Sequence, residues 1–111
     1  MKLRNFTPHE VVLLLADGTE LRFPTEGSAR VAVLPEQPET IEGLPVLPPV
    51  QYGEVSGLPE PEQGTMVIAS LVVALALGGS RDDLLIPATD PANVVRDPDG
   101  KIVGVRAFRR G

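Results

Sequence analysis

The chain has 111 residues, 42% of them hydrophobic, with no cysteine and a formal net charge of −5 at pH 7. That size fits one domain over residues 1–111, and the apolar content excludes a chain disordered throughout. The absence of cysteine excludes disulfides, thiolate nucleophiles and cysteine metal sites and suits a cytoplasmic location. The acidic balance excludes general binding to nucleic-acid phosphates.

Residues 3–6 (LRNF) read as a first short strand, broken by Thr7-Pro8-His9 because proline lacks an amide donor and restricts the residue before it. Residues 10–15 (EVVLLL) and 19–23 (TELRF) read as a hairpin around Asp17-Gly18. Lys2 and Arg4 ahead of VVLLLA imitate a secretory leader, but Pro8-His9-Glu10 interrupts the pattern and no small-residue cleavage site follows, so a strand is expected there. Residues 29–34 (ARVAVL) alternate as a strand with one buried face. The proline-rich segment 35–49 is expected to form a small hairpin or a loose arm. Residues 50–55 (VQYGEV) read as a strand in which Gly53 marks a bulge or a close backbone approach.

The segment 66–77 (MVIASLVVALAL) is too short to cross a bilayer, which takes about 20 apolar residues, so no membrane partner is expected. Its composition changes from β-branched residues to Leu and Ala at Ser70, and Gly78-Gly79 follows. Serine accepts an amide left free in a first helical turn, and glycine supplies the left-handed cap at the end. A strand, a Ser70 cap, a short buried helix and a glycine stop are therefore predicted. Residues 83–86 return as a strand, and 93–95 with 101–108 form a last hairpin around Asp97-Pro98-Asp99-Gly100. Many short strands and one helix predict a mainly β (α+β) domain, either a small barrel or a curled antiparallel sheet closed by the helix.

Charge is unevenly spread. No Lys or Arg occurs between Val31 and Ser80, where Glu36, Glu39, Glu42, Glu54, Glu60 and Glu62 fall, whereas the last eleven residues carry Lys101, Arg106, Arg109 and Arg110 and no acidic side chain. The residues of 5–9 (NFTPH), 23–31 (FPTEGSARV), 52–61 (YGEVSGLPEP), 68–87 and 95–108 (VRDPDGKIVGVRAF), in that order, resemble a family of small uncharacterised proteins of actinobacterial, plasmid and phage genomes. That family tends to read Leu at the place of Phe6, and its serine falls one place earlier, at Ala69. The resemblance implies no activity; a mobile-element setting implies an accessory role.

Catalytic patterns are thin. His9 is the only histidine, and no nucleophile-elbow pattern surrounds Ser70, so a hydrolase triad is not supported and no enzyme is expected. One histidine among scattered carboxylates gives no metal-ligand spacing, Gly78-Gly79-Ser80 follows the helix where a phosphate loop would precede it, and no cofactor is called for. Asn5-Phe6-Thr7 matches a glycosylation sequon by chance. The candidate ligand site is the start of the helix, whose free amides attract an anion. Ser70 stands beside it, Arg81 could fold back onto an anion, Asp82 could accept from a ribose or base, Tyr52 could stack on a base, and His9 completes the set. The opposing reading is structural: Ser70 only caps, Arg81 pairs with Asp83 or Asp99, and Tyr52 covers the core. Two functions follow as expectations. One is a non-enzymatic module binding a small anionic, nucleotide-like ligand, in a phage setting a sponge for a host immune signal. The other is a structural or interaction protein acting as a homo-oligomer or through a protein partner, with the proline-rich arm suited to contact.

Overall fold

The computed structural model describes residues Met1–Gly111. Twelve strands and one helix follow in chain order: β1 Lys2–Asn5, β2 Val11–Leu14, β3 Glu20–Phe23, β4 Arg30–Val33, β5 Glu39–Ile41, β6 Leu44–Val46, β7 Tyr52–Ser56, β8 Thr65–Ile68, α1 Leu71–Leu77, β9 Leu84–Pro87, β10 Val94–Arg96, β11 Ile102–Val105 and β12 Phe108–Arg110. The fold is mainly β with one short helix, as the composition predicts. It is neither a closed barrel nor purely antiparallel: two four-stranded sheets, ordered β1-β8-β9-β12 and β10-β11-β2-β3, stand beside two separate ribbons, β4-β7 and β5-β6.

The parallel pairs explain the departure from a purely antiparallel sheet. β8 pairs in parallel with both β1 and β9, and α1 forms the crossover from β8 to β9, the usual way to bring neighbouring strands into the same direction. β11 meets β2 in parallel through a single pair, Val105 and Leu13. The last hairpin also ends sooner than its sequence suggests. β10 and β11 do flank the Asp97–Gly100 turn, but the chain leaves that sheet after Val105, and Phe108 enters the other sheet as the start of β12 beside Pro87 of β9.

The helix has the predicted boundaries. Ser70 is extended and its hydroxyl accepts from the Val73 amide; Gly78, at φ 59°, caps the other end by donating to the Ala74 and Leu75 carbonyls. The serine cap thus falls on Ser70 itself, while Ala69 is fully buried. Val73 and Ala74 turn into a core shared with Phe6, Val67, Ala69, Leu84 and Ile86. Ala29, Val31, Val55 and Leu58 close it from the β4-β7 ribbon and the loop after it. Gly53 on β7 lies against Ala32, where a Cβ would come within 3.0 Å of the Ala32 carbonyl oxygen, the close approach its position in a strand suggested.

Gly57 and Gly78 separate two reasons for glycine. Both have positive φ, 89° and 59°. A Cβ on Gly57 would also meet the Ser28 carbonyl oxygen at 3.0 Å, whereas one on Gly78 meets nothing within 4 Å. Gly78→Ala is expected to cost about 1 kcal/mol from backbone strain alone. Gly57→Ala is expected to cost roughly 2–3 kcal/mol because the backbone of Ser28 and Ala29 must also move. Urea titration of the two variants checks the order.

Candidate functional site

Beyond Ile68 the chain leaves the first sheet, and Ser70 aims its side chain at the first turn of α1. The Ser70 Oγ to Val73 N distance is long, 3.4 Å. A groove opens there, lined by Thr7, Ser70, Leu71, Ile86, Pro87 and Thr89. It runs on past Ala88 to Asp90 and Arg109, sharing Leu71, Ile86, Pro87 and Thr89 along the way. On the other side of Pro87 and Thr89 lies a second depression, floored by β2 and β11 between the two large sheets. Pro87 and Thr89 therefore border both concavities, whose linings are mostly apolar.

At the far rim Arg109 Nη2 donates to Asp90 Oδ1 at 2.9 Å, and Asn93 Nδ2 donates to Asp90 Oδ2 at 2.9 Å. The Asn93 hydrogen bond first, and then the Arg109 guanidinium, hold the Asp90 carboxyl below the usual carboxylate range. The groove thus offers an apolar floor, the hydroxyls of Ser70 and Thr89, and one exposed ion pair. It holds no acid–base pair next to a nucleophile, and no three His, Asp or Glu side chains gather to hold a metal ion.

The five residues singled out from the sequence do not converge. Ser70 alone lines the groove. Arg81 lies at the opposite end of the helix, about 10 Å of helical rise away. Its donors are engaged: Nε to Asp83 Oδ1 at 2.9 Å, Nη2 to Asp83 Oδ2 at 2.7 Å, and Nη1 to the Pro59 carbonyl at 2.9 Å. The pair is mutual in effect. The hydrogen bonds to Asp83 raise the Arg81 guanidinium above its ordinary value, and those from Arg81 hold the Asp83 carboxyl below its own, against the burial that opposes both charges. Arg81 therefore pins the helix exit to the 58–61 loop, as the structural reading of it expects. Asp82 is exposed beside this pair. Tyr52 opens β7 opposite Val33, at the foot of the 32–52 segment, and is 37% exposed. His9 is exposed and contributes its backbone carbonyl to the turn before β2.

That turn rests on Asn5, which is 1% exposed. Its Nδ2 donates to the carbonyls of His9 at 2.9 Å and Phe23 at 2.8 Å. Its Oδ1 accepts from the Thr7 amide at 2.9 Å and the Thr7 hydroxyl at 2.7 Å. Both donors and both lone pairs of the amide are satisfied, so the 5–9 motif is an internal brace joining β1 to β3.

Arg109, Thr89 and Asp90 were not singled out from the sequence. Their placement beside Ser70 depends on β12 pairing with β9, which brings Arg109 opposite Ile86. The one local signal was the run of basic residues in the tail.

The other conspicuous surface is apolar. Only 15 of the 111 residues are buried. From Ala32 to Tyr52 every residue is exposed, including Val33, Leu34, Ile41, Leu44, Val46, Leu47 and Val50. The β5-β6 hairpin in this segment turns at Glu42 and Gly43, both with positive φ, the backbone of a tight two-residue connection. It makes no more than marginal contact with any other element. The helix is not the buried one expected from its composition: only Val73 and Ala74 turn inward, while Leu71, Val72 and Leu75 are about half exposed because the core covers one face alone. No helix is long and apolar enough to cross a membrane. Comparison with protein-family models, curated proteins and solved structures finds no match to this chain.

Proposed function

We propose that the chain is a non-enzymatic interaction module that works as a homo-oligomer. The observation that carries this reading is the continuously exposed segment 32–52, in which eight large hydrophobic side chains, from Val33 to Tyr52, remain between 37% and 90% exposed. Large contiguous apolar patches on soluble domains mark contact surfaces. The dimensions agree: the radius of gyration is 16.8 Å, where a compact domain of this length has roughly 13 Å. A second copy would cover this surface and bring the assembly back toward ordinary burial. Sedimentation equilibrium over a wide concentration range is expected to give a dimer or larger species; a monomer at every concentration would refute the reading.

A second reading has its own support. A small anionic, nucleotide-like ligand fits the groove at the start of α1, because Arg109 and the hydroxyls of Ser70 and Thr89 line one continuous concavity. Arg109 takes the role that the sequence suggested for Arg81. In the phage or plasmid setting that the family resemblance implies, such a protein would act in the cytoplasm as a sponge for a nucleotide signal of host defence.

A further inference from the structure

We infer that the 32–52 arm clasps the basic β11-β12 end of a second copy of this chain, resting on the homo-oligomer reading above. The arm is a two-stranded ribbon with little packing against any other element, and such ribbons are marginal in water by themselves. Its position is therefore best stabilised from outside the chain.

Charge identifies the surface it meets. Glu36, Glu39 and Glu42 lie on the arm, no Lys or Arg lies between Val31 and Ser80, and none of the three acids has an ion-pair partner in its own chain. Lys101, Arg106 and Arg110, in the turn before β11, the link to β12 and β12 itself, are exposed and equally unpaired. The basic end also has what an arm needs to dock. β12 is the outer strand of its sheet, so one row of its backbone groups is free. The groove floored by Leu71, Ile86 and Pro87 opens beside Arg109, and can take apolar side chains such as Leu44 and Leu47. Complementary potentials of this kind set orientation and partner choice as well as encounter rate. A stable interface takes 20–30 residues a side, and the arm alone supplies 21. Two arms exchanged about a twofold axis would double the contact; one arm passed from copy to copy would build a ring or a filament.

Charge reversal on both sides tests this. Glu39→Arg with Glu42→Arg should weaken self-association at least tenfold, and Arg106→Glu with Arg110→Glu should do the same. A chain carrying all four changes should regain the parent constant within a few fold. All the positions are exposed, so the thermal melts should match the parent's and serve as the folding control. A parent that self-associates while the arm variant keeps its constant would overturn the arm contact and leave the homo-oligomer reading standing, as would failure of the fourfold variant to regain affinity. A parent that stays monomeric would overturn both. Loss of binding to a different, co-purified protein with the parent itself monomeric would assign the arm to a foreign partner and also overturn the inference.

Discussion

Asn5→Ala is expected to lower the melting temperature by on the order of 10–20 °C, a loss of about 3–4 kcal/mol. The side chain bonds four groups at once. Without it the Phe23 carbonyl loses its side-chain donor and the Thr7 amide loses its acceptor, while the His9 carbonyl keeps only the Thr7 hydroxyl. A group left unsatisfied in the interior costs about 1–3 kcal/mol, and total stabilities are only about 5–15 kcal/mol. The neighbourhood has little slack to compensate, since no buried side-chain polar atom lacks a partner in the intact protein. Asn5→Asp gives the informative contrast. It keeps the shape and the acceptor toward Thr7, but sets a carboxylate against two carbonyl oxygens. It should be as damaging as Ala at neutral pH and recover in part on acidification, when the protonated acid regains one donor. Thermal melts of the three proteins between pH 7 and pH 4 check both expectations. A loss below 1 kcal/mol for Asn5→Ala would show that the brace does not hold the fold.

Arg81→Ala is expected to have the second-largest effect, a loss of roughly 2–3 kcal/mol, with no change in affinity for phosphate-bearing ligands. An exposed ion pair contributes only about 0–1 kcal/mol, and breaking a fully buried one costs about 3–5 kcal/mol. The Arg81–Asp83 side chains, at 14% and 11% exposure, lie toward the buried end, and Pro59 loses its guanidinium donor as well. The pH dependence follows from the sign of the shift. Folding holds the Asp83 carboxyl below its unfolded value, which is about 3.9. The pair's stabilisation is therefore complete above that value and is lost as pH falls through the lower, folded one. In Arg81→Ala burial pushes the Asp83 carboxyl up against only the weaker pull of its own backbone hydrogen bond, so this site should largely cease to favour neutral pH. The gap in melting temperature between parent and variant should narrow from pH 7 to pH 3, leaving the part due to the Pro59 carbonyl. A constant gap across that range would contradict the pairing as the cause.

The elements were largely legible because their signals are local. The change from β-branched residues to Leu and Ala, bounded by Ser70 and Gly78, carries the whole helix. Asp17-Gly18 and Asp97–Gly100 carry their turns through hydrogen bonds that the Asp17 and Asp97 carboxylates accept from nearby backbone amides. Strand pairing was not legible. Alternation says that one face of a strand is buried, not which strand lies beside it or in which direction. Hence β1, β8 and β9 are parallel where a small barrel or a curled antiparallel sheet was expected, and Phe108 belongs with β9 where residues 101–108 read as one strand. The site inherits that difficulty. Ser70 is a local cap and was found; Arg109 reaches the same groove only through the β9-β12 register. Arg81, nearer in sequence, was spent on Asp83 two residues away.

The proposed assembly is tested most directly by a native mass spectrum of the protein taken at several concentrations. A homo-oligomer predicts peaks at integer multiples of the 11.8 kDa chain, with the monomer fraction falling as concentration rises. A retained adduct of nucleotide size on those peaks would support the groove as a ligand site in addition. A spectrum showing the 11.8 kDa monomer alone at every concentration would contradict the interaction module.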